Sequence, residues 1–166
     1  GFLRENMSLN GFGHVQVHNR AVGSAPGTIR ISQRRADDMN FVSAEGDGVT
    51  VEMTTLDDLA GDLGSIDLLK IDVEGAEAAI LAGLSHPIQT VAFEYVPPMR
   101  EVALGAIDRL ASLAPYRFNR VVGESNRWVT TSWCDAASMR QQILDLADDA
   151  QSGDIYATRD AQGLRR

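Results

Sequence analysis

Apolar residues recur along this chain with two different periods, and the places where the period changes divide it into elements. In "LRENMSLNG" Leu3 and Met7 stand four residues apart and the run stops at Asn10-Gly11, which predicts the last turns of a helix closed by a left-handed cap. "HVQVHNRAV" alternates through Val15 and Val17 to Ala21-Val22 and predicts a strand. A second strand, "TIRIS", follows the Pro26-Gly27 turn. From Gln33 to Gly48 the chain is polar and aperiodic, which predicts a long loop of the kind that is often a lid or disordered. "VTVEMTTLDDLAGDL" predicts a short strand, then a short helix capped by Thr55 with Asp58 at its third helical position.

The most apolar run comes next. Ile66, Leu68, Leu69, Ile71 and Val73 form a near-continuous strand of the kind covered on both faces in a parallel sheet. After Gly75 the spacing changes to that of a helix face, with Ala76, Ala79, Ile80, Gly83 and Leu84 together. "TVAFEYV" predicts another buried strand, stopped by Pro97-Pro98, and Ala103, Ala106, Ile107, Leu110, Ala111 and Ala114 repeat the helical spacing. Alternating strands and helices imply parallel strands joined by right-handed crossovers. The end differs: "YRFNRVV" and "DIYATR" read as strands with the helix "DAASMRQQILDLADD" between them, its Ala136, Met139, Ile143 and Ala147 inward. A closing pair of this kind makes the sheet mixed.

The expected architecture is therefore α/β, with one domain over residues 1–158 and a loose tail over 159–166. Against 15 Lys and Arg stand 23 Asp and Glu, a net charge of -8 that repels nucleic-acid backbones and anionic lipid. Neither nucleic acid nor membrane is expected as a partner, and no apolar run reaches the roughly 18 residues of a membrane span. The single cysteine, Cys134, excludes an intrachain disulfide and suggests a reducing, cytoplasmic setting; no motif beside it makes it reactive. "GFLREN" carries no initiating Met and no secretory signal, so the chain reads as starting in mid-fold.

Candidate chemistry concentrates in "IDLLKIDVEGAEAAILAGL". Open α/β sheets bind ligands at the carboxyl ends of their strands, where Asp72 and Glu74 fall, with Glu94 near the end of the next strand. Asp72 reads equally as a helix-start residue accepting backbone N–H groups. Lys70 points to the same side of the sheet as Asp72, and a lysine inside a buried strand needs a partner, for which Glu94 is the obvious candidate as a structural ion pair.

These residues also resemble something known. "LLKIDVEGAEAAILAGL" is similar to the fourth strand and following helix of the FkbM-type family of S-adenosylmethionine-dependent methyltransferases. "LRENMSLNG", "VQVHNRAVGSAPGTIRIS" and "VEMTTLDDL" resemble that family's second helix, its third strand with the next segment, and its lead-in to the fourth strand, so that the likeness runs from Leu3 to about Tyr95. The resemblance implies a Rossmann-like class I methyltransferase sheet, N-terminally truncated to strands three to seven, mixed, with a final antiparallel strand. The family's strand order, 3-2-1-4-5-7-6, then leaves strand four with a free edge and strand three without its neighbour, collapsed onto strand four or detached. No Asp-x-Gly-x-x-x-Gly segment and no Glu-Pro strand end precede Leu3, as if on the order of 50 residues of two strands and a helix were missing.

By the same resemblance the cofactor is S-adenosylmethionine and the reaction an O-methylation of a small-molecule or sugar hydroxyl. Asp72 corresponds to the position facing the transferred methyl group, with Glu74 and Glu94 assisting as catalytic carboxylates. His18, Asn19, Arg20 and Ala21 correspond to the loop flanking the adenine, although Asn19 and Gly23 also suit a plain turn. No metal is assigned, since carboxylates without a spaced histidine are weak ligand evidence. Two rival readings stand beside this one. "LLKIDVE" resembles the Asp-x-Asp element of metal-dependent nucleotide-sugar glycosyltransferases, and a truncated sheet also suits a non-catalytic binding module. Trp128 and Trp133 read as core or as acceptor-pocket wall, and His86 before Pro87 as a helix-end residue.

Overall fold

A computed structural model describes residues 2–32 and 48–161. The chain forms helices and strands in the order α1 (Phe2–Leu9), β1 (Ala21–Val22), β2 (Gly27–Ser32), β3 (Gly48–Thr54), α2 (Leu56–Leu63), β4 (Leu68–Ile71), α3 (Glu77–Ala82), β5 (Thr90–Tyr95), α4 (Arg100–Leu113), β6 (Arg117–Arg120), α5 (Ala136–Leu144) and β7 (Gly153–Thr158). A 3-10 turn over Pro97–Met99 leads into α4. The strands make two mixed sheets, neither closed into a barrel, with orders β1-β3-β2 and β4-β5-β7-β6.

In the larger sheet β4 and β5 are parallel, while β7 runs antiparallel to both β5 and β6. The expected mixed sheet with an antiparallel last strand is thus present. Val91, Phe93 and Tyr95 of β5, Ile155 and Ala157 of β7 and Phe118 of β6 share one core with Leu81 of α3, Ile107 and Leu110 of α4, and Met139 and Ile143 of α5. The alternate residues of β5, Thr90, Ala92 and Glu94, point to the opposite face. Parallel pairing brings the carboxyl ends of β4 and β5 together, which sets Asp72 beside Glu94.

Several expected elements are shorter or turned. The strand expected over residues 14–22 is paired only at Ala21–Val22, where β1 lies parallel to β3 at Met53–Thr54; residues 14–20 have no ladder partner. β4 is the sheet's edge strand and is covered on one face only: Leu68, 58 % exposed, and Lys70 lie on the open face, Leu69 and Ile71 on the covered one. In α3 the buried positions are Glu77, Ile80 and Leu81, while Ala79 is exposed. Ala111 and Ala147 are also exposed, and α5 ends at Leu144. The loop expected from residue 33 and the tail beyond residue 161 lie outside the described residues, except that Gly48 opens β3.

The start of α2 follows the expected capping box: Asp58 N–H donates to the Thr55 hydroxyl at 3.1 Å and Thr55 N–H to the Asp58 carboxylate at 3.3 Å. The two sheets meet at Gly83, the C-cap of α3. A Cβ there would lie 2.4 Å from the Gly23 carbonyl oxygen, so only glycine allows this approach. Asp57 adds two ties, donating its N–H to the Gly83 carbonyl at 3.2 Å and accepting the Ser85 N–H at 2.8 Å on its carboxylate. The second of these holds the Asp57 carboxyl below the usual carboxylate range.

Candidate functional site

β4 ends at Ile71, and the next four residues turn sharply into α3. Two consecutive residues of this turn take left-handed backbone, Glu74 at φ 52° and Gly75 at φ 100°. Glycine adopts that conformation freely, whereas a glutamate there costs on the order of 1 kcal/mol and must be held. The brace is Glu77, the first residue of α3, whose carboxylate is buried at 2 % exposure and accepts the N–H groups of Val73 at 3.4 Å and Gly75 at 3.2 Å. The helix has no side-chain N-cap at Ala76; Glu77 instead reaches back to tie down the turn that precedes it.

The turn brings the three expected carboxylates together: one oxygen from each of Asp72, Glu74 and Glu94 lies within 4.8 Å of the others. Asp72 and Glu74 are exposed and Glu94 is half-buried. Burial pushes the Glu94 carboxyl above the usual carboxylate range, and the charges of Glu74, Asp72, Glu77 and Asp154 push it further. Such a set offers hard oxygen ligands to a divalent cation, but fewer than the roughly six that magnesium or calcium takes.

Lys70 does not pair with Glu94. Its ammonium lies 2.5 Å from the Asp154 carboxylate of β7 and 3.8 Å from Asp72. The register explains the correction: Lys70 stands opposite Ala92, Ala92 opposite Tyr156, and Glu94 opposite Asp154 one step further along. The small Ala92 leaves the lysine stem free to cross β5 diagonally. Asp154 was not legible as a site residue, because its position depends on β7 inserting antiparallel beside β5. Glu77 did carry a signal, a second acid three residues after Glu74 in "EGAE", which reads as the back-reaching half of a helix start.

A cleft of about 1080 Å³ lies between the two sheets, and of the three carboxylates Asp72 and Glu74, but not Glu94, are among its lining residues. Ile29 and Ile31 of β2 form part of one wall, Leu69 and Ile71 of β4 part of the other, and Arg20 to Gly23 also line it, as do Asp72 and Glu74. The structure thus brings Arg20 and Ala21 to the same cleft as Asp72. It does not bring His18 or Asn19 there: both are exposed and neither is among the lining residues. Arg20 is paired with Glu52 at 3.5 Å.

The remaining candidates lie elsewhere. Trp128 packs on Trp133 and, edge-on, on Tyr156, with ring centroids 5.1 and 5.0 Å apart. Cys134 is half-buried and its thiol is pushed up, mainly by burial, consistent with an unreactive side chain. His86 is exposed in the loop after α3, hydrogen-bonded to the Ser85 hydroxyl at 2.8 Å. Among the described residues no helix is long and apolar enough to cross a membrane.

No curated protein and no solved structure matches the chain. The family profile described as Methyltransferase FkbM domain does match, over residues 8–118. That span takes in the β1–β3 sheet, the Asp72–Glu77 turn and Glu94, and covers more than half of the chain; the protein belongs to the FkbM methyltransferase family.

Proposed function

We propose that this chain carries the acceptor side of an S-adenosylmethionine-dependent O-methyltransferase acting on a hydroxyl of a small molecule or sugar. The observation that carries the reading is the convergence of Asp72, Glu74 and Glu94, the first two of which line the cleft that Arg20 and Ala21 also line. The cofactor, when bound, supplies an electrophilic methyl group on a cationic sulfur. The apolar flanks, among them Val22, Ile31, Leu69 and Ile71, suit a flat adenine ring, and the carboxylates suit a nearby positive charge. The lining residues do not include the pairing of a glycine-rich turn with a strand-end acid that holds a ribose and a methionine terminus in such sheets. In this reading those groups come from a further parallel strand paired along the free edge of β4.

Within that frame Glu94 takes the proton from the acceptor hydroxyl. Its carboxyl is held above the ordinary range by burial and by its neighbours' charge, which moves its proton affinity toward that of an effective base near neutral pH. Asp72, exposed and 3.8 Å from the Lys70 ammonium, orients the hydroxyl toward the methyl group. Glu74 closes the other side of the acceptor. No observation favours the nucleotide-sugar reading over this one.

Calorimetry of the full-length gene product with S-adenosylmethionine, paired with methyl-transfer assays against hydroxylated acceptors, tests the proposal. Saturable binding is expected, with Glu94→Gln lowering turnover by roughly 10²–10⁴-fold and leaving cofactor affinity within a few-fold. An absence of binding heat would sink it and favour a non-catalytic module that uses the β4 edge.

A further inference from the structure

Glu77 is a buried acid that the reaction outlined above does not use. Its carboxylate is 2 % exposed, makes no ion pair among the described residues, and accepts two backbone N–H groups from the turn before its own helix. That turn holds Glu74 at φ 52°, a conformation a glutamate does not keep unaided. On its other side Glu77 meets Glu94: with Met99 and Val102 they wall a small cavity of about 10 Å³. The two residues thus border a shared space near the least volume that holds a water.

We propose that Glu77 is a positioning residue of the acceptor site: its carboxylate fixes the turn that aims Asp72 and Glu74 at Glu94, and its charge joins those of the acids that surround Glu94. This rests on the reading of Glu94 as the base, but the geometry and the charge are properties of the chain alone. Glu94 faces Asp72 and Glu74 from the turn after β4, Glu77 from α3 and Asp154 from β7. Lys70, a cation on that face of the sheet, is engaged by Asp154 and Asp72. Glu77 differs from the other acids in being buried and in holding backbone, so it alone couples the shape of the turn to the charge at Glu94.

The two roles separate by substitution. Glu77→Gln keeps an oxygen that accepts the Val73 and Gly75 N–H groups but removes the charge; Glu77→Ala removes both. In the full-length protein, hydrogen exchange of those two amides is expected to stay within about threefold of wild type in Glu77→Gln and to speed up at least about tenfold in Glu77→Ala. The Glu94 carboxyl, followed by carbon-detected NMR, is expected to titrate at lower pH in Glu77→Gln, because one of the charges that hold its proton is gone. In a methyl-transfer assay Glu77→Gln then moves the acid limb of the rate profile to lower pH and keeps the plateau, whereas Glu77→Ala lowers the plateau.

An unmoved Glu94 titration in Glu77→Gln overturns the charge role. Unchanged Val73 and Gly75 exchange in Glu77→Ala overturns the positioning role. Both readings need neither cofactor nor acceptor, so they stand apart from any failure of the methyltransferase reading itself. If Glu77→Ala fails to fold, the glutamine variant alone decides, since a merely structural residue would keep the Glu94 titration in place.

Discussion

The two walls of the cleft are built very differently. On one side the β4-β5-β7-β6 sheet rests on α3, α4 and α5, and β5 buries five of its six residues. On the other, β3 buries only its last residue, and α1 buries none, with Phe2 87 % and Leu9 78 % exposed. α1 lies against residues 11–17, where Met7 is half-buried and Arg4 donates to the Val17 carbonyl at 2.7 Å. The three candidate carboxylates sit on the packed wall. Carboxylates carried by β4, β5 and the turn into α3 keep their mutual geometry through a filled core, while the facing wall is tied to them through a few contacts around Gly83.

Core truncation should expose this difference most strongly. Phe93→Ala, at a fully buried position, is expected to cost about 3–5 kcal/mol in denaturant unfolding, and Phe2→Ala less than about 0.5 kcal/mol. Equal losses at the two sites would erase the contrast. A smaller effect, about 1–3 kcal/mol, is expected for Gly83→Ala, because its methyl group would meet the Gly23 carbonyl. Exchange should then quicken at the Asp57 amide, which donates to the Gly83 carbonyl across this junction, more than at Phe93. A uniform change would show that the junction does not separate the two walls.

The smallest effect should appear at Glu94. An acid whose folded proton affinity is raised favours the folded state at low pH and loses that contribution as pH rises through its folded value. Glu94→Gln should therefore raise the melting temperature relative to wild type at pH 8, with the gain shrinking as pH falls through the carboxylate range. A gain that grows on acidification would contradict the crowding of charge around this residue.

Much of the packed wall was legible in the residues. The shift from the strand around Ile71 to helical spacing after Gly75 located the turn, and Pro97-Pro98 marked the end of β5. The capping box at Thr55 and Asp58 follows from local hydrogen bonding alone, so no tertiary knowledge was needed. What escaped depended on register. Whether Lys70 meets Glu94 or Asp154 turns on which strand lies beside β5 and on the small size of Ala92, and neither can be read from spacing. The alternation at Val15 and Val17 suggested strand, but a strand forms only where a partner exists, and β3 reaches no further than Ala21–Val22. His18 and Asn19 fell outside the cleft with it, while Arg20 and Ala21 stayed.

The central claim is that one cleft joins the Arg20–Gly23 segment to the Asp72–Glu74 turn around the methyl donor. Titrating the isotope-labelled full-length protein with S-adenosylhomocysteine tests it residue by residue. The account expects the amides of Arg20 to Gly23 and of Asp72 to Glu74 to shift along one saturation curve while those of α5 stay in place. Saturation that moves neither segment would contradict it.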